Sequence, residues 1–213
     1  MDNIRDKILV LELHYLPSIA YLSAINSCKS VLIEQHEHYN KRSYRNRAHI
    51  AGANGLLRLS IPLKKGKNEQ MPIKNVEITF DENWPIKHWR AITSAYQRAP
   101  YFEFYADDLE ALLVQKKQNL FDWNLSFLRV LMDLFGIDKK IRFTESYQFT
   151  YEEEFLDLRN SISPKKNLQL PLQVYKEKAY TQLFQEKHGF IPNLSCLDLL
   201  FCTGPEAILY LSS

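Results

Sequence analysis

Lys41, Arg42, Arg45 and Arg47 fall within seven positions of the stretch YNKRSYRNRAHI, residues 39–50. The whole chain carries a formal net charge of only +2. Guanidinium forks match the paired oxygens of phosphate and carboxylate, and clustered cations need such partners. The stretch is therefore a candidate anion cradle. Its competing reading is a solvated turn with one or two internal ion pairs.

Imidazoles are the second chemical signal, because histidine titrates nearest to neutral pH. His14 follows the apolar run ILVLEL, and His88 lies on the apolar face of a predicted helix. His88 there is either a satisfied core residue or a proton-transfer group. In EQHEH, residues 34–38, Glu34, His36 and His38 would share one side of an extended segment. That trio could bind zinc or supply a general base, but no second ligand cluster accompanies it, and no metal is assigned. Asn124 falls in the apolar stripe of another predicted helix, so its amide must find partners.

Nucleophiles are poorly supported. Cys196 and Cys202 lie in SCLDLLFC, an apolar helix where a thiol behaves as a small hydrophobe. Ser195 has the spacing of a helix cap ahead of Asp198. The sequence contains no G-x-S-x-G, P-loop, G-x-G-x-x-G, H-E-x-x-H or C-x-x-C, which removes the commonest hydrolase, NTPase, dehydrogenase and zinc-protease readings. No cofactor is assigned.

These residues have to be positioned by a fold. The 213 residues are 46% hydrophobic and 24% charged, enough for one large core or two small ones. The near-neutral charge argues against nucleic-acid binding. Three cysteines without framework spacing fit a reducing compartment. The N-terminal apolar run is broken by Glu12 and His14, unlike a signal peptide, and no apolar run reaches the roughly 18 residues of a membrane span. The expectation is a soluble, cytoplasmic protein. A homo-oligomer is left open.

KILVLEL (7–13) and SVLIEQ (30–35) read as buried strands, with a helix between them that starts near Pro17. That is a parallel βαβ unit. GANGLLRLSIPLKK (52–65) reads as a turn and strand, paired with VEITF (76–80). Three helices follow, within 82–99, 101–116 and 119–137, the last stopped by Gly136. KIRFTES returns to a strand, and the C-terminal stretch reads as two short helices broken at Gly204-Pro205. The class is α/β: an N-terminal βαβ unit in a small mixed sheet, then packed helices, in a single domain over 1–213. Residues 146–178, rich in charge and proline, read as a less ordered excursion. In open α/β sheets ligands gather beyond the carboxyl ends of the strands. That picks out the loops His14–Ser18 and Glu34–Arg47, with a helix N-terminus at Ser18 as an extra anion donor.

LPSIAYLSAI, HYNKRSYRNRAHIAGANGLLRLSIPL, KHWRAITSAYQRAPYFEFYADDLEALL, LFDWNLSFLRVLMDLFGI and HGFIPNLSCLDLLFCTGPEAILYL resemble, in order, the WbqC-like protein family. The match is closest to its short, single-domain branch. The longer branch carries a strand-and-Gly segment after the third helix that is not found here. The resemblance implies work in bacterial surface-polysaccharide or amino-sugar biosynthesis on a nucleotide-linked or otherwise anionic sugar, with acyl or aminoacyl transfer as the suggested chemistry. Positions matching its motifs include Lys41, Ser43, Tyr44, Arg45, Asn46, Arg47, His88, Trp89, Tyr96, Asn124, Asn193, Ser195 and Asp198. On this reading Lys41, Arg45 and Arg47, with Asn46, hold phosphate or carboxylate. His88 or His14 moves the proton, Tyr15 and Trp89 are stacking surfaces, and Tyr96 lines the site. Arg42 is weighted below the others because the resemblance implies that related sequences often carry a neutral polar residue there. The alternative is a non-catalytic binding or scaffold protein whose arginines pair with Asp107, Asp108, Glu152 or a partner's acids. A third reading is acyl transfer through Cys196 or Cys202.

Overall fold

The computed structural model describes residues 4–64, 71–115, 117–164 and 170–211. Strand β1 (Ile8–Leu11) is the apolar run ILVL, the composition that a parallel strand needs when both its faces are covered. Helix α1 (Ile19–Ser27) follows, buried from Ile19 to Ile25. It leads into β2 (Ser30–Ile33), which pairs parallel to β1 from Ile8–Ser30 to Leu11–Ile33. The βαβ unit stands as the sequence predicts.

Next comes a hairpin of β3 (Arg47–Gly52) and β4 (Gly55–Ser60). The chain reverses through Ala53 and Asn54, and Gly55 takes φ +97°, a value that favours glycine. The expected partner of β4 was residues 76–80. These make two isolated bridges instead, Ile78 with Leu63 and Glu77 with Asn119, because β3 satisfies the β4 ladder first.

Helices α2 (Trp84–Tyr96), α3 (Phe102–Val114) and α4 (Leu120–Leu134) then pack against the core. Asn119 caps α4 by accepting from Phe121 N (2.8 Å) and Asp122 N (3.2 Å), and Gly136 ends it at φ +66°. Asn124 is buried in the apolar stripe of α4, and its Nδ2 donates to the carbonyl of Arg45 at 2.7 Å. That one bond ties the basic loop to the helical layer.

Strand β5 (Ile141–Phe143) joins β2, and β6 (Phe155–Asp157) joins β1. The sheet runs β5-β2-β1-β6, and every pairing in it is parallel. The class is α/β as expected, but the antiparallel pair forms a separate two-stranded sheet. Strand β6 lies inside the stretch read as an excursion, 146–178, so part of that stretch is an edge of the central sheet. Residues 165–169 of it lie outside the described residues. The chain ends with α5 (Gln185–His188), α6 (Cys196–Thr203), a single 3-10 turn at Gly204–Glu206 and α7 (Ala207–Leu211). Among the described residues no helix is long and apolar enough to cross a membrane.

Candidate functional site

The parallel strands run out into polar side chains at one edge. Leu11 is followed by Glu12, Ile33 by Glu34 and Phe143 by Thr144, while Arg159 stands two residues past β6. Backbone bonds continue past the strand ends, from Glu34 N to Leu11 O, Thr144 N to Ile33 O and Leu158 N to Val10 O. These bonds bring the polar residues together beyond the carboxyl end of the sheet, the usual place for an α/β site.

Glu12 and Glu34 are each 1% exposed, and a buried carboxylate has to be paired. Glu34 accepts from Arg159 Nη1 at 3.0 Å, Thr144 Oγ1 at 2.8 Å and His36 N at 2.8 Å. Arg159 is held between the rings of Tyr147 and Tyr151, each 4.9 Å from its guanidinium, and also binds Asp157. Glu12 faces His14 Nε2 at 3.1 Å and Arg45 Nη1 at 3.5 Å, and accepts from Asn160 N at 3.0 Å. Asn160 reaches this position in the left-handed region, at φ +59°.

Arg45 is the hub. Its Nε and Nη2 donate to the two oxygens of Glu37, at 2.7 and 2.5 Å, and Nη2 also reaches Asn160 Oδ1 at 3.0 Å. Burial opposes charge on Glu12, but Arg45 and the His14 hydrogen bond prevail and hold it down at about 2. Burial, helped by the Glu12 and Glu34 charges, pushes Glu37 up to about 7 against the Arg45 fork. Arg45 itself is pushed up by Glu12 and Glu37 in spite of its burial. Burial, aided by Arg45, lowers His14, so its imidazole is neutral at pH 7. An ionised Glu12 only accepts, so the His14 proton sits on Nε2 and the Nδ1 lone pair is left over. Nδ1 is buried and has no hydrogen-bond partner among the described residues.

A cleft of 130 Å³ opens beside this hub, lined by Glu12, Asn40, Ser43, Arg45, Asn160, Ile162 and Ser163. A second hollow of 330 Å³ includes Tyr44, His49, Asn193, Glu177 and the same Ser163. Ser163 and the adjacent Ser43 and Tyr44 make the two hollows neighbours.

The other predicted residues are spread over the molecule. Lys41 is exposed on the loop, and Arg47 is half-buried at the start of β3. Asn46 is a latch, accepting from Tyr39 OH at 2.9 Å and donating to Ile61 O at 2.9 Å. Tyr15, His88, Trp89 and Tyr96 do not line either hollow, and His14 adjoins the smaller one only through its partner Glu12. The buried Tyr15 hydroxyl is paired with His88 Nδ1 at 2.9 Å, and His88 packs edge-on against Trp84 at 4.9 Å. Burial takes His88 down to about 4. Trp89 stacks on Phe102, and Tyr96 OH donates to Asp198 at 2.8 Å. The helix end at Ser18 is already occupied, since Ile19 N bonds Leu194 O and Ala20 N bonds Asn193 Oδ1. His36 and His38 are exposed while Glu34 turns inward, and among the described residues no three His, Cys, Asp or Glu side chains group as a metal site. Burial pushes the thiols up, Cys28 to about 11 and Cys202 to about 12, so they are protonated at neutral pH. Arg45 is paired inside this chain, but with Glu37 and Glu12 rather than with Asp107, Asp108 or Glu152.

Sequence reasoning passed over Glu12, Glu37 and Asn160. Glu12 had a signal, a carboxylate ending an apolar strand. Asn160 had none, because its role depends on a left-handed turn after a three-residue strand.

Parallel α/β architecture with a buried ionic cluster at the strand ends defines the class of protein. The chain belongs to the WbqC-like protein family, whose matches cover residues 13–167 and 163–210. It is also similar to the Uncharacterized protein Rv1507c of Mycobacterium tuberculosis, 27% identical over 227 residues that cover 96% of this chain and 97% of that protein. No solved structure matches the chain.

Proposed function

We propose that this protein is a cytoplasmic enzyme of bacterial surface-polysaccharide or amino-sugar biosynthesis, acting on a nucleotide-linked or otherwise anionic sugar. The observation that carries the reading is the Glu12–His14 pair: Nε2 lies 3.1 Å from the carboxylate, and Nδ1 has no partner among the described residues. A carboxylate that fixes the tautomer of a neutral imidazole, leaving the other nitrogen as acceptor, is the arrangement of a general base. Acyl or aminoacyl transfer to an amino sugar needs such a base to take the proton of the attacking nitrogen. The hydroxyl and amide lining of the cleft, from Ser43, Asn40 and Asn160, suits a hydroxyl-rich ligand. Because Nδ1 is shut off from solvent, the reading requires the loop of residues 40–44 to yield when substrate binds.

A second reading, a non-catalytic binding or scaffold protein, is favoured by one observation: Arg45 is fully engaged by carboxylates of its own chain. The two separate by experiment. Binding of nucleotide-linked amino sugars is measured by calorimetry, and turnover is assayed with acyl and aminoacyl donors, for wild type and His14→Gln. The enzyme reading expects binding to persist in His14→Gln and turnover to fall at least about 100-fold. Wild type that binds but never turns over supports the scaffold. Wild type that binds no sugar nucleotide ends both sugar readings.

A further inference from the structure

The outer face of the β3–β4 hairpin gathers positive charge that no carboxylate among the described residues pairs. The register sets His49 opposite Arg58 and Arg47 opposite Ser60. Strand alternation sends Ala48, Ile50 and Leu59 to the core and leaves Arg47, His49 and Arg58 on the other side. Arg42 adds its charge from the preceding turn, where it holds φ +59°. Among the described residues, Arg42, Arg47 and Arg58 make no ion pair. Arg47 Nε is buried with no hydrogen-bond partner among the described residues, an expensive arrangement for a charged donor. Like charges side by side on one face of a ladder also repel. The contrast within the molecule is informative. Arg45 and Arg159 are saturated with carboxylates a short distance away, so the fold does supply counter-charges where the role is structural.

The patch borders the hollows already described. His49 lines the 330 Å³ hollow, whose other titratable groups are Tyr44 and Glu177. Tyr44 OH stands 3.5 Å from His49 Nδ1, with the rings edge to face. Glu177 is engaged by the hydroxyl of Tyr175. Burial and the charges of Arg58 and Arg47 keep His49 below the ordinary imidazole range, so its ring reports the field of those arginines.

We propose that Arg42, Arg47 and Arg58, with His49 at the edge, form a phosphoanion subsite that takes the diphosphate of the ligand. A single carboxylate satisfies one fork, whereas three unpaired guanidiniums call for a multiply charged anion with many oxygens. The nucleotide-sugar part rests on the function proposed above; the phosphoanion part does not.

The experiment follows the His49 imidazole by NMR while inorganic pyrophosphate, and separately uridine diphosphate, is titrated into the full chain. Pyrophosphate is expected to raise the His49 pKa by about one unit, because a bound polyanion offsets the arginine field. Arg47→Gln and Arg58→Gln are each expected to weaken binding at least about tenfold, in a salt-sensitive way, and Arg90→Gln, exposed on α2, to leave it unchanged. Arg58 is exposed, so its variant keeps the test open if Arg47→Gln does not fold. An unchanged His49 titration, or Arg58→Gln binding as wild type does, overturns the subsite. Tighter binding of uridine diphosphate than of pyrophosphate supports a nucleotide-linked source. Equal binding keeps the subsite and removes the nucleotide from the proposed substrate.

Discussion

Glu37 clasps Arg45 by two hydrogen bonds, 2.7 Å to Nε and 2.5 Å to Nη2, with both side chains inside the protein. A cation so placed holds the fold together at the end of the sheet, and it is not free to grip a ligand's phosphate. Arg45→Ala is therefore expected to cost about 3–5 kcal/mol of stability, since it strands two buried carboxylates. Arg45→Lys restores little, because an ammonium cannot present the fork. Urea denaturation checks this. An Arg45→Ala protein of wild-type stability that only loses ligand affinity would return the residue to the anion site.

Glu12 gives the cluster a pH signature. Its folded pKa of about 2 lies below the roughly 4.3 of an unfolded glutamate. A depressed carboxylate contributes stability that is fully present above the unfolded value and lost as pH falls toward the folded one. Wild type is thus expected to exceed Glu12→Gln by about 3 kcal/mol at pH 7, and the gap to close between pH 4 and pH 2. Glu37 runs the other way: raised to about 7, it favours the folded state more as pH drops from 7 toward 4. A gap that stays constant across this range would show that Glu12 is not held ionised by Arg45.

Much of the scaffold was legible because it rests on local pattern. ILVL, SVLI and the helical stripes bury what their periods say they bury. Strand β6 was not legible: Phe155–Asp157 has one charge in three residues, follows three glutamates, and becomes a strand only by pairing with β1. Strand β3 was hidden for a related reason, since its outward residues Arg47 and His49 look like loop chemistry. Arg45 was conspicuous, but a sequence shows residue types and not partners. Glu37 sits eight residues away and Glu12 thirty-three, and only the folded loop brings both to one guanidinium.

His88 is expected to act on stability. It releases its proton at about 4 when folded and near 6.5 when unfolded. A base with a depressed folded pKa stabilises the fold above the unfolded value and ceases to as pH falls through the window. Stability should drop by about 3 kcal/mol between pH 6.5 and pH 4 from this residue, with His14 adding slope of the same sign. His88→Gln should flatten that part of the curve in urea melts. A slope unchanged by the substitution would place the titration elsewhere.

Asp198, fully buried in α6, accepts from Tyr180 OH at 2.6 Å and Tyr96 OH at 2.8 Å. Hydrogen bonds to a buried carboxylate are worth about 1.5–3 kcal/mol each. Tyr180→Phe is expected to lose about that much. Tyr96→Phe should lose roughly 1 kcal/mol more: Ala51 N, which donates to Tyr96 OH at 3.1 Å, would be left unpaired, whereas Gln182 Nε2, which donates to Tyr180 OH at 3.2 Å, keeps Ile191 O at 2.9 Å. Equal losses in chemical denaturation would mean that the link from α2 to β3 carries no energy.

Gly204 and Gly136 both end helices with positive φ, +57° and +66°, and they differ in surroundings. A Cβ on Gly136 meets no described atom within 4 Å, whereas one on Gly204 would collide with Cγ, Cδ1 and Cε1 of Tyr101. Tyr101 cannot simply swing away, since the contact reaches its Cγ and its backbone N is bonded to Phe201 O at 3.1 Å. Gly136→Ala is expected to cost only the left-handed strain, about 1 kcal/mol. Gly204→Ala adds overpacking and should cost more than about 3 kcal/mol. In a Tyr101→Ala background the collision disappears and the backbone strain stays; with ψ −130° Gly204 lies outside the left-handed helical well, so the cost of Gly204→Ala should fall by about 2 kcal/mol without reaching the cost at Gly136. Thermal melts of the four variants decide it, and a Gly204→Ala cost that ignores Tyr101 would refute the close approach as the reason for glycine.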